Sequence, residues 1–233
     1  MKFEQPLVSG TLIKRYKRFL VDVELDSGEV LTAHTPNTGA MKGCSDPGSR
    51  VWLSISDNPK RKYPHTLELI ETAGGAIAGV HTLRSNKLAE EAILSGLMEL
   101  PDIASVRREV KYGEESSRID LLLEYTSGKL AYVEVKNVTL IRDDKALFPD
   151  AVTKRGTKHL HELERMVAQG HEGIIFFCVQ RNDATSVAAA QDIDPVYAEA
   201  LTHAAENGVQ VMACQYQVTP EEITAWRALP VEY

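Results

Sequence analysis

Asp120, Glu134 and Lys136 are the residues of this sequence whose types and spacing could do chemistry together. Residues 118–125 and 130–140 read as strands, and Thr126-Ser127-Gly128 between them is a three-residue hairpin loop with Gly at its left-handed position. That loop sets Tyr125 across from Lys129, and counting back sets Asp120 across from Glu134. Opposed residues share a face, so Lys136, two residues on, is their neighbour. The other face then carries Ile119, Leu121, Leu123, Ala131, Val133 and Val135, an apolar set that a loop one residue shorter or longer would split.

Two facing carboxylates repel, at a cost of up to about 1 kcal/mol on a sheet. A Mg²⁺ or Mn²⁺ ion offsets this, because hard cations take carboxylate oxygens and usually keep several waters. Such an ion activates a water and polarises a phosphoryl oxygen, while Lys136 supplies positive charge beside it. This D…ExK pattern is that of a metal-dependent nuclease, with Asp120, Glu134 and Lys136 as candidate catalytic residues and the two acids as metal ligands. The plain alternative is a solvated ion cluster on a hairpin. Leu122 and Tyr132 on the same face weigh against it, since a partly apolar face should pack under helices. A third acid is sought on the preceding helix, where Glu90 and Glu91 are candidates and Glu91 borders the apolar stripe.

The elements that must position these residues follow from periodicity. Residues 86–97 carry Leu88, Ala89, Ala92, Ile93 and Leu97 on one helical face after a Ser/Asn cap. A second helix is predicted over 153–168, with Lys154, Arg155, Lys158 and His159 crowding its first turns. Cations there oppose the helix dipole, so a phosphate partner would relieve them. Strands at 106–112, 174–179 and 209–215, a helix at 195–206 and a last short helix at 220–228 complete a single helix-covered mixed sheet.

The first 80 or so residues differ. Short apolar runs at 19–25, 29–34, 51–56, 67–71 and 76–80, broken by turn residues, predict a compact barrel of the OB type. Lys14-Arg15-Tyr16-Lys17-Arg18-Phe19 and Lys60-Arg61-Lys62-Tyr63 interleave cations with aromatics, which suits phosphate contact and base stacking.

Charge divides the chain the same way. Residues 1–84 hold 11 Lys/Arg against 9 Asp/Glu, and residues 85–233 hold 15 against 24, within a net charge of −7. Two units are expected, 1–84 and 85–233. The overall acidity counts against a simple polyanion binder, so any nucleic-acid grip must be local. Cys44, Cys178 and Cys214 are too scattered for a zinc site and read as free thiols. No apolar run approaches membrane-span length and no apolar leader opens the chain, so a cytoplasmic protein is expected.

With those residues in hand, the sequence resembles the sugar fermentation stimulation protein A (SfsA) family over nearly its full length. The likeness rests on residues 12–19, on His34-Thr35-Pro36-Asn37-Thr38-Gly39-Ala40-Met41, and on Lys60-Arg61-Lys62-Tyr63-Pro64-His65-Thr66. It continues through Arg118-Ile119-Asp120, Val133-Glu134-Val135-Lys136 and Phe148-Pro149-Asp150-Ala151-Val152-Thr153, with Arg155-Gly156 and Lys158-His159-Leu160. The resemblance implies an α+β protein: an N-terminal OB-like barrel, then a PD-(D/E)xK nuclease-like α/β domain with a mixed sheet. It further implies DNA binding of low sequence specificity and a link to regulation of sugar (maltose) metabolism, with Glu91 as the best match to the helix acid. Arg118-Ile119 stands where the wider nuclease pattern has Pro before its Asp.

The function expected is therefore DNA binding through Lys14, Arg15, Tyr16, Lys17, Arg18, Lys60, Arg61, Lys62, Arg155 and Lys158, with Mg²⁺ or Mn²⁺ at Asp120, Glu134 and Glu91. Phosphodiester cleavage is one outcome. A DNA-binding regulator that keeps the nuclease fold without turnover is the second, and an enzyme acting on a small phosphorylated metabolite the third.

Overall fold

Residues 1–112 and 117–233 are described by the computed structural model. The first six strands are β1 (Val8–Tyr16), β2 (Leu20–Leu25), β3 (Val30–His34), β4 (Arg50–Ile55), β5 (His65–Glu71) and β6 (Ile77–Gly79). They run in the order β3-β2-β1-β4-β5-β6, and a parallel contact of His34 with Thr66 joins β3 to β5. Five strands thus close into the OB barrel the sequence predicts, with β6 added at one edge. Alternate residues turn inward: Leu12, Val21, Val23, Ala33, Val51 and Leu53 fill its core.

A 3₁₀ turn at Thr82–Arg84 leads into α1 (Ser85–Leu94). The α/β domain continues through β7 (Ile103–Tyr112), β8 (Ser117–Tyr125), β9 (Leu130–Val138), β10 (Leu140–Arg142), β11 (Lys145–Phe148), α2 (Lys154–Ala168), β12 (Glu172–Val179) and β13 (Ser186–Ala189). It closes with α3 (Pro195–Glu206), β14 (Gln210–Val218), β15 (Ile223–Ala228) and β16 (Val231–Glu232). The main sheet runs β15-β14-β12-β9-β8-β7. Its centre is parallel (β9, β12, β14) and its flanks antiparallel, so the crossovers must carry helices over the sheet faces. Helices α2 and α3 cover one face with Leu160, Leu163, Tyr197 and Leu201 over Ile175 and Phe177. Helix α1 covers the other, with Leu88, Ala92 and Ile93 over Leu121, Val133 and Phe176.

Barrel and sheet are not separate bodies. Leu69 of β5 is buried in the same cluster as α1, and Trp52 packs against it. The Gly79 amide donates to the Gln180 carbonyl at 2.9 Å, and the Met41 amide donates to Asp150 Oδ2 at 2.7 Å.

Three expectations need correction. The segment 220–228 is strand β15, not a helix: pairing of Ile223–Ala228 with β14 outweighs the helix-start signal of Pro220 and the acids after it. The domain holds two sheets rather than one, since β10-β11-β13-β16 form a second, small sheet. Its strands of two to four residues are too short to show a period. Ile119 is buried with Leu122 in the α2-side core instead of with Leu121 and Leu123. The β7–β8 ladder skips the Glu109–Asp120 pair, and Glu109 takes a left-handed φ of 54°, so β8 twists at Asp120.

Candidate metal and nucleic-acid site

The β8–β9 register is the one counted from the hairpin loop. Leu121 pairs with Val133 and Leu123 with Ala131, which extended by one residue sets Asp120 across from Glu134. The regular ladder ends at the Leu121–Val133 pair, and beyond it the Asp120 side chain takes over: the Val135 amide donates to Asp120 Oδ2 at 2.8 Å. The other Asp120 oxygen accepts from Asn86 Nδ2 on α1 at 2.9 Å. Neither Ser85 nor Asn86 caps α1 as the sequence suggests; no side chain does.

Glu134, 4% exposed, is buried beside Asp120 and lines the same cleft. Its Oε1 accepts from Lys136 Nζ at 2.7 Å and is bonded by His159 Nδ1 of α2. Arg155 Nε donates to His159 Nε2 at 3.3 Å, which leaves the ring proton on Nδ1, facing the carboxylate. The start of α2 is fixed for this purpose. The Thr153 side chain caps it by accepting from the Gly156 amide, and Asp194, the cap of α3, accepts from the Thr153 amide at 2.7 Å.

The two acids respond differently. Burial and then the nearby Glu134 push Asp120 up to about 6. Burial would raise Glu134 too, but Lys136 and His159 outweigh it and hold Glu134 below the usual range. Glu134 Oε2 has no partner and is buried. An orphaned carboxylate oxygen beside a second carboxylate that is costly to ionise is the environment a hard cation would satisfy. Asp120 and Glu134 fit such an ion as a pair. Among the described residues no group of three or more His, Cys, Asp or Glu is arranged to hold a metal.

Glu91 is not part of this site. It pairs with the Met1 amino group at 2.9 Å and with Lys87, and does not line the cleft; Glu90 pairs with Arg108. The α1 residue that reaches Asp120 is Asn86.

The cleft, about 550 Å³, lies between barrel and sheet. Arg18 and the loop Asn37-Thr38-Gly39 form its barrel side, and Arg118, Asp150 and Arg155 contribute from the other domain. A Cβ on Gly39 would lie 3.0 Å from both Asn37 Oδ1 and Asp150 Oδ1, so a larger residue here would press these two side chains aside. Arg15 and Tyr16 turn out to be spent internally. Arg15 donates to the carbonyls of Arg18, Asn37, Gly39 and Ala40, and Tyr16 donates to Asp22. Lys14, Lys17, Lys60, Arg61 and Lys62 are exposed, as expected, but do not line the cleft, and neither does Lys158. Lys14 lies over the Tyr16 ring and Lys62 over the Tyr63 ring, at 5.4 and 5.3 Å, so these aromatic faces are partly covered by the chain's own cations.

Comparison with known proteins then decides the family. Residues 13–80 match the model of the SfsA N-terminal OB domain, and residues 83–222 that of the sugar fermentation stimulation protein RE domain. The chain belongs to the SfsA family. It is 56% identical over 232 residues to a sugar fermentation stimulation protein homolog of Citrifermentans bemidjiense, covering 99% of each chain. It is 53% identical over 234 residues to a homolog of Thioalkalivibrio sulfidiphilus, covering 100% of this chain and 98% of that one. Among solved structures it is similar to Pyrococcus furiosus SfsA in complex with Ca²⁺, with a TM-score of 0.90, 28% identity and coverage of 100% and 98%. His159, Asn86, Asn37 and Asp150 are the site residues of this SfsA-family chain whose roles sequence reasoning missed. His159 is visible in the sequence as one of a basic cluster, and Asn37 and Asp150 only within the segments that carry the family likeness.

Proposed function

We propose that this protein binds DNA in the cleft between barrel and sheet and holds Mg²⁺ or Mn²⁺ between Asp120 and Glu134 for phosphodiester cleavage. The observation that carries the reading is the unpartnered, buried Glu134 Oε2 in a cleft shared with Asp120 and Lys136. The similar Pyrococcus furiosus protein, described in complex with Ca²⁺, supports a hard oxygen-seeking cation. When bound, the ion would supply an activated water and neutralise phosphate charge. Asn86 and the Val135 amide orient Asp120, while His159 and Lys136 fix one Glu134 oxygen and leave the other free. Arg18, Arg118 and Arg155 offer positive charge to the phosphates along the cleft.

Incubation of wild type and Asp120→Ala with single- and double-stranded DNA and Mg²⁺ or Mn²⁺ tests this. The variant should cleave roughly a hundredfold more slowly or worse, the loss typical of one charge-stabilising group. Equal cleavage by the variant, or none by wild type in any combination, removes the enzymatic claim.

One observation favours the second reading, a regulator of sugar metabolism that binds DNA without turnover. Glu91, the helix acid of the expected metal set, lies outside the cleft and pairs with the Met1 amino group. That reading predicts salt-sensitive DNA binding, intact in Asp120→Ala, with no metal-dependent product.

A further inference from the structure

Leu83 and Val152 are 77% and 70% exposed, the most exposed of the large hydrophobic side chains among the described residues. Single exposed aliphatic groups are ordinary on a protein surface. These two are set apart by position, because both line the cleft that holds Asp120, Glu134 and Lys136. Leu83 sits on the 3₁₀ turn between barrel and α1, and Val152 directly precedes the cap of α2. Both are carried by segments anchored on either side: the Thr82 hydroxyl donates to the Pro36 carbonyl, and the Thr153 amide donates to Asp194.

The cleft has the Asp120–Glu134 floor, arginines together with Glu109 and Asp150 in its walls, and bare aliphatic groups at its rim; its cations suit the anionic part of a ligand whose other part is flat and apolar. A nucleotide freed from its partner strand has both parts. A duplex hides its base faces and offers only edges and backbone to such a surface. The volume, about 550 Å³, lies within the range of roughly 300–1,000 Å³ typical of small-ligand pockets. That accommodates one or two nucleotides. Aliphatic side chains are also the groups that proteins insert beside unstacked bases. The Tyr16 and Tyr63 faces on the barrel are partly covered by Lys14 and Lys62, so these two rings are poorer base platforms than they look in sequence.

Resting on the DNA reading above, the geometry points to Leu83 and Val152 as base-contacting residues that make the cleft selective for unpaired nucleotides, in a single strand or at a bulge. The cations hold the phosphates of that segment and deliver its backbone to the Asp120–Glu134 floor.

The experiment measures fluorescence anisotropy at low salt with three oligonucleotides of equal length: single-stranded, blunt duplex, and duplex with one bulged 2-aminopurine. Wild type should bind the single strand and the bulge about tenfold more tightly than the duplex, and 2-aminopurine emission should rise as its base leaves the stack. In Leu83→Ser/Val152→Ser the ratio should fall toward one and the emission change should vanish, with an unchanged thermal midpoint confirming folding. The single variants Leu83→Ser and Val152→Ser should each lose part of the ratio. Equal wild-type affinity for all three DNAs, or a double variant that keeps the ratio, overturns this inference while leaving DNA binding intact. Absence of binding to every oligonucleotide overturns both.

Discussion

Burying a carboxylate is costly unless something compensates it, and Glu134 of β9 and Glu68 of β5, both buried, are compensated differently. Glu134 is half compensated, with one oxygen left without a partner. Glu68, 1% exposed on β5, is fully compensated: Arg84 donates at 2.5 and 2.6 Å, Ser54 Oγ at 2.7 Å, and His81 Nδ1 lies at 2.8 Å. Burial alone would raise Glu68, but Arg84 and His81 overcome it and lower it from 4.5 to about 2. The folded carboxyl therefore stays ionised where the unfolded one protonates. Its contribution is complete above pH 4.5 and lost as pH falls through about 2. That contribution is on the order of 3 kcal/mol. Glu68→Gln should lower the urea-unfolding free energy by about that much at neutral pH, with the gap closing between pH 4.5 and 2. A gap that does not change with pH would show that the bonds, not the charge, matter. At this scale the sequence reveals what local counting reaches. Asp120 faces Glu134 because one loop and one alternation fix it. Asn86, His159 and the diversion of Glu91 to Met1 depend on which helix lands where, and no spacing along the chain encodes that.

Elements were legible in proportion to their length and punctuation. Helix α3 has the bounds expected, because Pro195 opens it after Asp194 and Asn207-Gly208 closes it. Strand β15 takes its identity from its partner, β14, rather than from its own pattern, so the sequence alone predicts a helix there. Strand β1 is not among the strands the sequence predicts, although it is the barrel's central strand, paired to both β2 and β4. Gly10 within it shows how tightly that pairing is made. A Cβ there would lie 2.5 Å from the Glu24 carbonyl oxygen and 2.9 Å from Leu25 Cα, both backbone atoms that cannot swing aside. Gly10→Ala should therefore wedge β1 from β2 and cost about 1–3 kcal/mol, as overpacking of a close contact does. Thermal unfolding would show it as a lowered midpoint. A midpoint equal to or above that of wild type would mean that the two strands can separate without loss.

For the whole molecule, the central question is how a chain of net charge −7 could hold a polyanion. Its charge is divided, with the barrel half mildly basic and the remainder strongly acidic, so attraction must come from a small set of oriented cations. The structure narrows that set. Arg15 is consumed by backbone carbonyls, and Arg18, Arg118 and Arg155 line the cleft. Lys14, Lys17 and Lys62 stand exposed on the barrel outside it. Each cation that meets a duplex phosphate releases counterions, and adds about 0.9 to the slope of log affinity against log salt. If the barrel is the grip, Lys14→Glu/Lys17→Glu/Lys62→Glu should flatten that slope by roughly 2–3 and weaken binding similarly for every sequence. Arg15→Ala should behave differently. It would disorder the loop Asn37-Thr38-Gly39 by freeing the carbonyls that Arg15 holds, lowering stability, while changing the slope little because its charge is not presented to phosphate. Titrations across a range of salt concentrations separate the two. An unchanged slope in the triple variant would move the grip off the barrel and onto the arginines of the cleft. A large slope change in Arg15→Ala would mean that its guanidinium leaves the loop to meet DNA.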